Sequence, residues 1–128
     1  MKGGLEWCGV AFLVCLLSGC GLCSDTVVSE VTSPDGAMTA TWFVRNCGAT
    51  TEFSSIVSVH RKSEGFRNER DIVFVVAFRP QLSLTWTGRR TLSVECEGCL
   101  RANVFRKVTA LGSIDIVYPQ GSTSSLTR

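Results

Sequence analysis

SPDGAMTATWFVR, residues 33–45, encodes a β-hairpin. Ser33-Pro34-Asp35-Gly36 has the composition of a type I turn, with Ser first, Pro second and Gly fourth. Beyond the turn, apolar and polar residues alternate with the period of a half-buried strand. The apolar residues are Met38, Ala40, Trp42 and Val44. Phe43 interrupts the polar face, which predicts a strand covered in part on both sides. The Val- and Thr-rich segment 26–31 before the turn supplies the partner strand.

The segments that follow this hairpin have the same β character. Residues 55–60 resume it, and 71–78 form a nearly unbroken apolar run, rich in Val and Phe, that favours a strand over a buried helix. Four more segments, separated by turns, complete the pattern: 82–86, 92–96, 101–108 and 114–118. Even spacing and hairpin turns predict an all-β fold, a single small antiparallel meander of about eight strands forming a sandwich or barrel.

The N-terminus has the layout of an export signal. Lys2 precedes an apolar core over 7–17, and the small residues Ser18 and Gly19 lead to Cys20, although Glu6 offsets the charge of Lys2. Residues 7–22 number 16, against about 20 needed to cross the hydrocarbon core, so cleavage is favoured over a permanent helix. Leu17-Ser18-Gly19-Cys20 resembles the lipobox of bacterial lipoproteins, and this resemblance implies a lipoprotein signal peptide over 1–19 with lipidation of Cys20. The alternative is an ordinary secretory signal cut near residues 21–24.

Removal of the signal leaves 109 of the 128 residues, enough for one domain and too few for two. We predict a lipid-anchored tether over 20–25, a β domain over 26–118 and a disordered tail over 119–128, where Gln, Gly, Ser and Thr dominate. The net charge of +2 gives no electrostatic footprint for nucleic acid. Basic and acidic residues are interleaved over 61–70, which predicts a solvated loop.

The seven cysteines divide into three groups. Two lie within the signal peptide, and Cys20 would carry the lipid. The remaining four are Cys23, Cys47, Cys96 and Cys99. An even number in a small exported domain is typical of a disulfide framework, with three connectivities open. Proximity in sequence favours a Cys96–Cys99 pair, which leaves Cys23 and Cys47 to tie the mature N-terminus to the domain.

The motifs that begin at Ser33, Arg45 and Val57 resemble a family of small exported bacterial lipoproteins and related proteins of unknown function. They are SPDG, RNCGATT over 45–51 and VSV over 57–59. The resemblance spans about 24–118 and implies no known activity. The chain departs from that pattern in Cys96 and Cys99, and in Phe78-Arg79-Pro80, where polar residues are more usual.

The cysteines, the histidine and the hydroxyls of the chain suggest three possible sites, a redox pair, a zinc site and a hydrolytic site, and each has a structural alternative. Cys96-x-x-Cys99 could be a redox pair, but the neighbouring carboxylates disfavour a thiolate, so a structural bridge is predicted. Zinc needs four ligands in a closed site, and His60, the only histidine, cannot complete one with Cys96 and Cys99 unless Cys23 or Cys47 joins them, so zinc is not predicted. Hydroxyls at 50, 51, 54 and 55 precede His60 without a nucleophile-elbow motif, and His60 is expected to be an exposed strand-end residue. No catalytic residue, metal or cofactor is predicted.

The segment 46–51 is the candidate recognition loop, and its alternative is a pinned turn beside a disulfide. Its proposed contact residues are Asn46, Gly48, Ala49, Thr50 and Thr51. A loop displayed on a rigid sheet is suited to binding. We therefore expect a non-enzymatic cell-envelope lipoprotein, held at the membrane by its N-terminal lipid and contacting an envelope protein or glycan. Gly21, where Asp would indicate inner-membrane retention, favours the outer membrane. The alternative function is a secreted inhibitor of a hydrolase.

Overall fold

The computed structural model describes residues 23–48 and 52–119. The predicted signal peptide, its lipid site Cys20, the loop residues Ala49, Thr50 and Thr51, and the predicted tail from residue 120 lie outside these residues. Among the described residues, no helix is both long and apolar enough to span a bilayer.

The described chain forms nine strands and two 3₁₀ helices. They are β1 (Ser24–Thr32), β2 (Met38–Asn46), β3 (Ser54–Arg61), a 3₁₀ helix (Lys62–Glu64), β4 (Ile72–Ala77), β5 (Gln81–Gly88), β6 (Thr91–Glu97), a second 3₁₀ helix (Arg101–Asn103), β7 (Val104–Lys107), β8 (Ala110–Leu111) and β9 (Ile114–Val117). One sheet has the order β1-β2-β3-β4-β7 and the other β5-β6-β9-β8. The all-β prediction is confirmed as a sandwich, and these strands do not close into a barrel.

The hairpin that opens the fold is confirmed, including its turn. The Gly36 N–H donates to the Ser33 carbonyl at 2.9 Å, the hydrogen bond that defines a β-turn. The Ser33 hydroxyl donates to Asp35 Oδ1 at 2.7 Å and accepts from the Met38 N–H at 3.1 Å. Gly36 has φ +76°, a conformation that a side chain would strain. β1 and β2 then pair antiparallel from Thr32–Thr39 to Ser24–Asn46.

The core lies between the two sheets. The larger sheet contributes the inner faces of β2, β3 and β4, and the smaller sheet contributes β5, β6 and β9. The main residues are Ala40, Trp42, Val57, Val59, Phe74, Val76, Leu82, Leu92, Val94, Ile114 and Ile116. The Trp86 indole N–H donates to the Val31 carbonyl at 2.8 Å, which joins the smaller sheet to β1. The Tyr118 hydroxyl donates to the Val108 carbonyl at 2.7 Å.

The outer face of the larger sheet is covered by the loop over residues 62–71. Phe43, which breaks the polar face of β2, is fully buried, and its ring meets the Phe66 ring edge-on at 5.0 Å. This confirms a strand covered on both sides. The expectation that His60 is exposed is wrong, because it lies on this face near Phe66 and is only 8% exposed. The basic and acidic residues of the loop face solvent, as predicted.

The chain order departs from a simple meander in its C-terminal third. The predicted 101–108 strand is a 3₁₀ turn followed by β7, and β7 joins the larger sheet beside β4. β9 returns to the smaller sheet and pairs parallel to β6, with Leu92 opposite Ile116. Both edge strands of the larger sheet contain a bulge, at Val28 in β1 and at Phe105 in β7.

Candidate functional site

The disulfides and the strained residue Phe78 lie in connections at one end of the sandwich. Antiparallel pairing places the end of β2, the start of β3 and the end of β4 side by side, since Ser54 lies opposite both Arg45 and Ala77. The start of β5 meets the end of β6 at the same end, through the Gln81–Glu97 pair. We call this the apical end. It contains Cys23, residues 47–48 and 52–53, and the connections 78–80 and 98–103. The basal end holds the turns 33–37 and 89–90 and the start of the loop that follows β3.

All four cysteines of the described chain lie at the apical end, in the predicted pairs Cys23–Cys47 and Cys96–Cys99. The first bridge joins the start of β1 to the end of β2, and Cys23 is exposed. The second is buried in the core, with Cys96 1% and Cys99 2% exposed. Cys96 and Cys99 pack among core residues, so their bridge is part of the core between the two sheets and is shielded from solvent.

The start of β1 is also held by an ion pair beside the Cys23–Cys47 bridge. Arg45 Nε donates to Asp25 Oδ1 at 2.9 Å and Arg45 Nη2 donates to Asp25 Oδ2 at 3.1 Å. The Asn68 side chain donates to the same carboxylate, and Arg45 also donates to the Asn68 carbonyl. Hydrogen bonding to the Arg45 guanidinium lowers the pKa of Asp25 below its ordinary value. The first residues of the domain are therefore fixed both covalently and ionically.

The candidate recognition loop begins at this pinned position. The Asn46 side-chain carbonyl accepts a hydrogen bond from the Gly48 N–H at 3.1 Å, which turns the chain away from β2. Gly48 has φ +124°, a conformation that favours glycine. Asn46 and Gly48 are both exposed. The turn interpretation thus describes the geometry of these two residues, while their role in recognition stays a prediction.

Phe78, in the connection between β4 and β5, holds a strained backbone conformation. Its φ is +70°, which is rare for a bulky side chain. Two hydrogen bonds enforce it: the Phe78 N–H donates to the Phe53 carbonyl at 2.6 Å, and the Ser55 hydroxyl donates to the Phe78 carbonyl at 3.0 Å. The ring itself is 45% exposed. Strain of this kind, kept by specific hydrogen bonds, is often a sign of function.

A shallow cleft of about 300 Å³ opens between the two sheets at the apical end. It is lined by residues that include Phe78, Pro80, Cys99, Leu100 and Asn103. Leu100 is 49% exposed, and Phe53, bonded to Phe78, is 37% exposed. The Arg79 guanidinium lies over the Phe53 ring, 5.3 Å from its centroid. The apical end therefore presents several large apolar groups to solvent around a cleft.

Among the described residues, the hydroxyls of Ser54 and Ser55 are not placed beside His60. His60 is near the basal end of β3, while Ser54 and Ser55 are at its apical end. His60 lies five positions after Ser55 along the strand, about 16 Å at 3.3 Å per residue. The Ser55 hydroxyl is instead used to hold the Phe78 carbonyl. Within the described residues, no group of three or more His, Cys, Asp or Glu side chains is placed to hold a metal ion.

Comparison of the chain with protein-family models, with curated proteins and with solved structures gives no match.

The apolar groups around the cleft are the site residues that sequence reasoning missed. Phe53 and Leu100 each lie in a segment that the sequence indicates only as a connection, and the charged Arg79 lies over the Phe53 ring. The signal that could have found them was the triplet Phe78-Arg79-Pro80, which already stood out as apolar and basic where polar residues were expected.

Proposed function

We propose that this chain is a cell-envelope lipoprotein, anchored by lipid on Cys20, whose sandwich binds a partner through its apical end without catalysing a reaction. The observation that carries the proposal is the Cys23–Cys47 bridge. The bridge holds Cys23, three positions after the proposed lipid site, at the end that also has the cleft and the exposed apolar side chains. The resemblance to small exported lipoproteins supports the same conclusion.

The non-enzymatic part of the proposal is supported by where the reactive side chains lie. His60 is buried under the 62–71 loop, away from the cleft. The four cysteines that the structure describes are engaged in disulfides. What the cleft offers is apolar surface, backbone and a few charges, which suit binding. Asn46 and Gly48, the described contact residues of the recognition loop, lie at the same end and belong to the same proposed contact region.

Intact mass of the mature protein extracted from membranes tests the anchor. The full chain, expressed in a bacterium, is expected to begin at Cys20 with a lipid-sized mass increment, and to gain four protons when both disulfides are reduced. Cys20→Ser should remove the increment and leave the signal peptide attached. Cys15→Ser, which changes a cysteine within the signal, is the matched control and should be processed normally. A wild-type chain without lipid on Cys20 would overturn the anchor.

A secreted hydrolase inhibitor is the second candidate. The rigid presentation of Phe78 favours it, because an exposed ring on a strained, hydrogen-bonded loop resembles a plug that loses little entropy on binding. The two functions separate by location. An inhibitor would be recovered as a soluble, unlipidated chain starting beyond Cys20, and it would slow a target hydrolase in a way that Phe78→Ala abolishes.

A further inference from the structure

We infer that the partner of the apical end is the membrane surface, with Phe53, Phe78 and Leu100 entering the headgroup region of the bilayer. The inference rests on the anchored state proposed above. It names the occupant of the same surface.

The reach of the chain is the first argument. Cys23 is fixed at the apical end by its bridge to Cys47. Cys23 lies three positions after Cys20, and three fully extended residues span at most about 10 Å. A lipid on Cys20 would therefore hold the apical end within about 10 Å of the bilayer, a distance comparable to the depth at which interfacial apolar groups are buried. The sandwich cannot stand away from the membrane on a long linker.

The exposed apolar side chains are the second argument. Phe53, Phe78 and Leu100 are between 37% and 49% exposed, and all three lie at the end that carries the tether. Phe53 directly precedes β3, Phe78 lies between β4 and β5, and Leu100 lies between β6 and β7. The basal turns are built differently, from residues such as Ser33, Pro34 and Asp35. Apolar side chains at the end nearest the lipid are what an interfacial contact requires.

The charge of this end identifies the type of contact. Arg79 and Arg101 are matched by Glu52 and Glu97, all four exposed and in or next to the apical connections. A surface with balanced charge gains little from anionic lipid. The contact is therefore expected to depend on apolar burial and to persist at high salt, unlike one made by a polybasic patch.

The test measures how close the apical end comes to lipid. Phe53→Trp in the full lipidated chain is reconstituted into vesicles of equal parts phosphatidylethanolamine and phosphatidylglycerol, with or without bromine on the acyl chains. The added tryptophan signal is the difference from the parent chain, whose mature form beginning at Cys20 contains Trp42 and Trp86 and lacks the Trp7 of the signal peptide. Shallow insertion predicts that bromine removes about half of the added signal, in low and in molar salt alike.

Val117→Trp is the matched control, because Val117 is 42% exposed on β9 and away from the apical connections. Leu100→Trp is a second apical reporter for the case in which Phe53→Trp does not fold. Lipid on Cys20 with selective quenching of the apical reporters supports the inference. Lipid on Cys20 with equal quenching of apical and control reporters overturns it and leaves the anchor intact.

Absence of lipid on Cys20, read from the mass of the same sample, overturns the anchor instead. The soluble chain is then mixed with the brominated vesicles. Selective apical quenching would still support the membrane contact, and its absence would overturn both proposals.

Discussion

At the basal end, the Ser33–Gly36 turn is closed by short hydrogen bonds that the buried Ser33 hydroxyl makes with the exposed Asp35 carboxylate and with the Met38 N–H. At the apical end, two disulfides do the corresponding work, and large apolar side chains stay exposed. A turn held by polar side chains must keep those side chains, whereas a covalent bridge leaves the neighbouring positions free. The apical end can therefore expose apolar side chains to solvent while the disulfides hold its connections in place.

Breaking the Cys23–Cys47 bridge should have the largest effect. Cys23→Ser with Cys47→Ser opens a loop closed over a sequence separation of 24. The chain-entropy model predicts a loss of about 3 kcal/mol, read as a fall of more than about 10 °C in Tm. Ser29→Ala, in the middle of β1, is the control. An unchanged Tm would show that the Asp25–Arg45 pair alone holds the start of β1.

Breaking the Cys96–Cys99 bridge should cost less, because its loop is short. Cys96→Ala with Cys99→Ala is expected to lose about 2 kcal/mol, measured by urea unfolding. The apical quenching described above should persist at temperatures where the variant is folded. Loss of apical contact at unchanged stability would contradict a purely structural role for this pair.

Relieving the strain at Phe78 should stabilise the apical end. Asn tolerates a positive φ far better than Phe, so Phe78→Asn is expected to gain about 1 kcal/mol in unfolding free energy. The control is Phe53→Asn, an exposed residue outside the positive-φ positions, which should show no gain. A loss of stability in Phe78→Asn would mean that the ring packs more than its exposure indicates.

Lowering the pH should destabilise both ends slightly, and this is the smallest of the expected effects. The pKa of Asp25 is lowered chiefly by Arg45, and that of Asp35 chiefly by the Ser33 hydroxyl. The stability from each is fully present above the ordinary value of 3.8 and is lost as the pH falls through the lower pKa of the folded state.

Salt then separates the two carboxyls. The Asp25 contribution, less than about 1 kcal/mol, should shrink in molar salt because an ion pair is screened. The Asp35 contribution relies on a hydroxyl and a backbone N–H and should change less. Thermal unfolding of Asp25→Asn and Asp35→Asn across this pH range measures both. Equal salt sensitivity would contradict the assignment of causes.

The sequence predicted the strands well because strand identity is local. Alternation in 38–45 and the apolar run 71–78 each correspond to one strand, and SPDG to one turn. The disulfide pairs followed from counting cysteines and from proximity. These features need only neighbours along the chain.

What the sequence did not predict depends on contacts between distant segments. His60 is buried because Phe66, from a loop that looks fully polar, folds back over it. β9 pairs parallel to β6 across an excursion into the other sheet, which no hairpin pattern encodes. The apical cleft forms only when the fold brings the β4–β5 and β6–β7 connections side by side. The sequence alone therefore gives no reason to assign Phe78 and Leu100 to one site.

The bulges at Val28 and Phe105 have a consequence for crowding. β1 and β7 are the free edges of the larger sheet, where an unpaired backbone invites another copy to add a strand. Copies held by lipid in one leaflet would share an orientation and meet edge to edge, the arrangement most prone to polymerise. A bulge in each edge strand interrupts the regular pairing that such growth needs. In the proposed anchored state, the irregular edges would let neighbouring copies share one membrane as separate molecules.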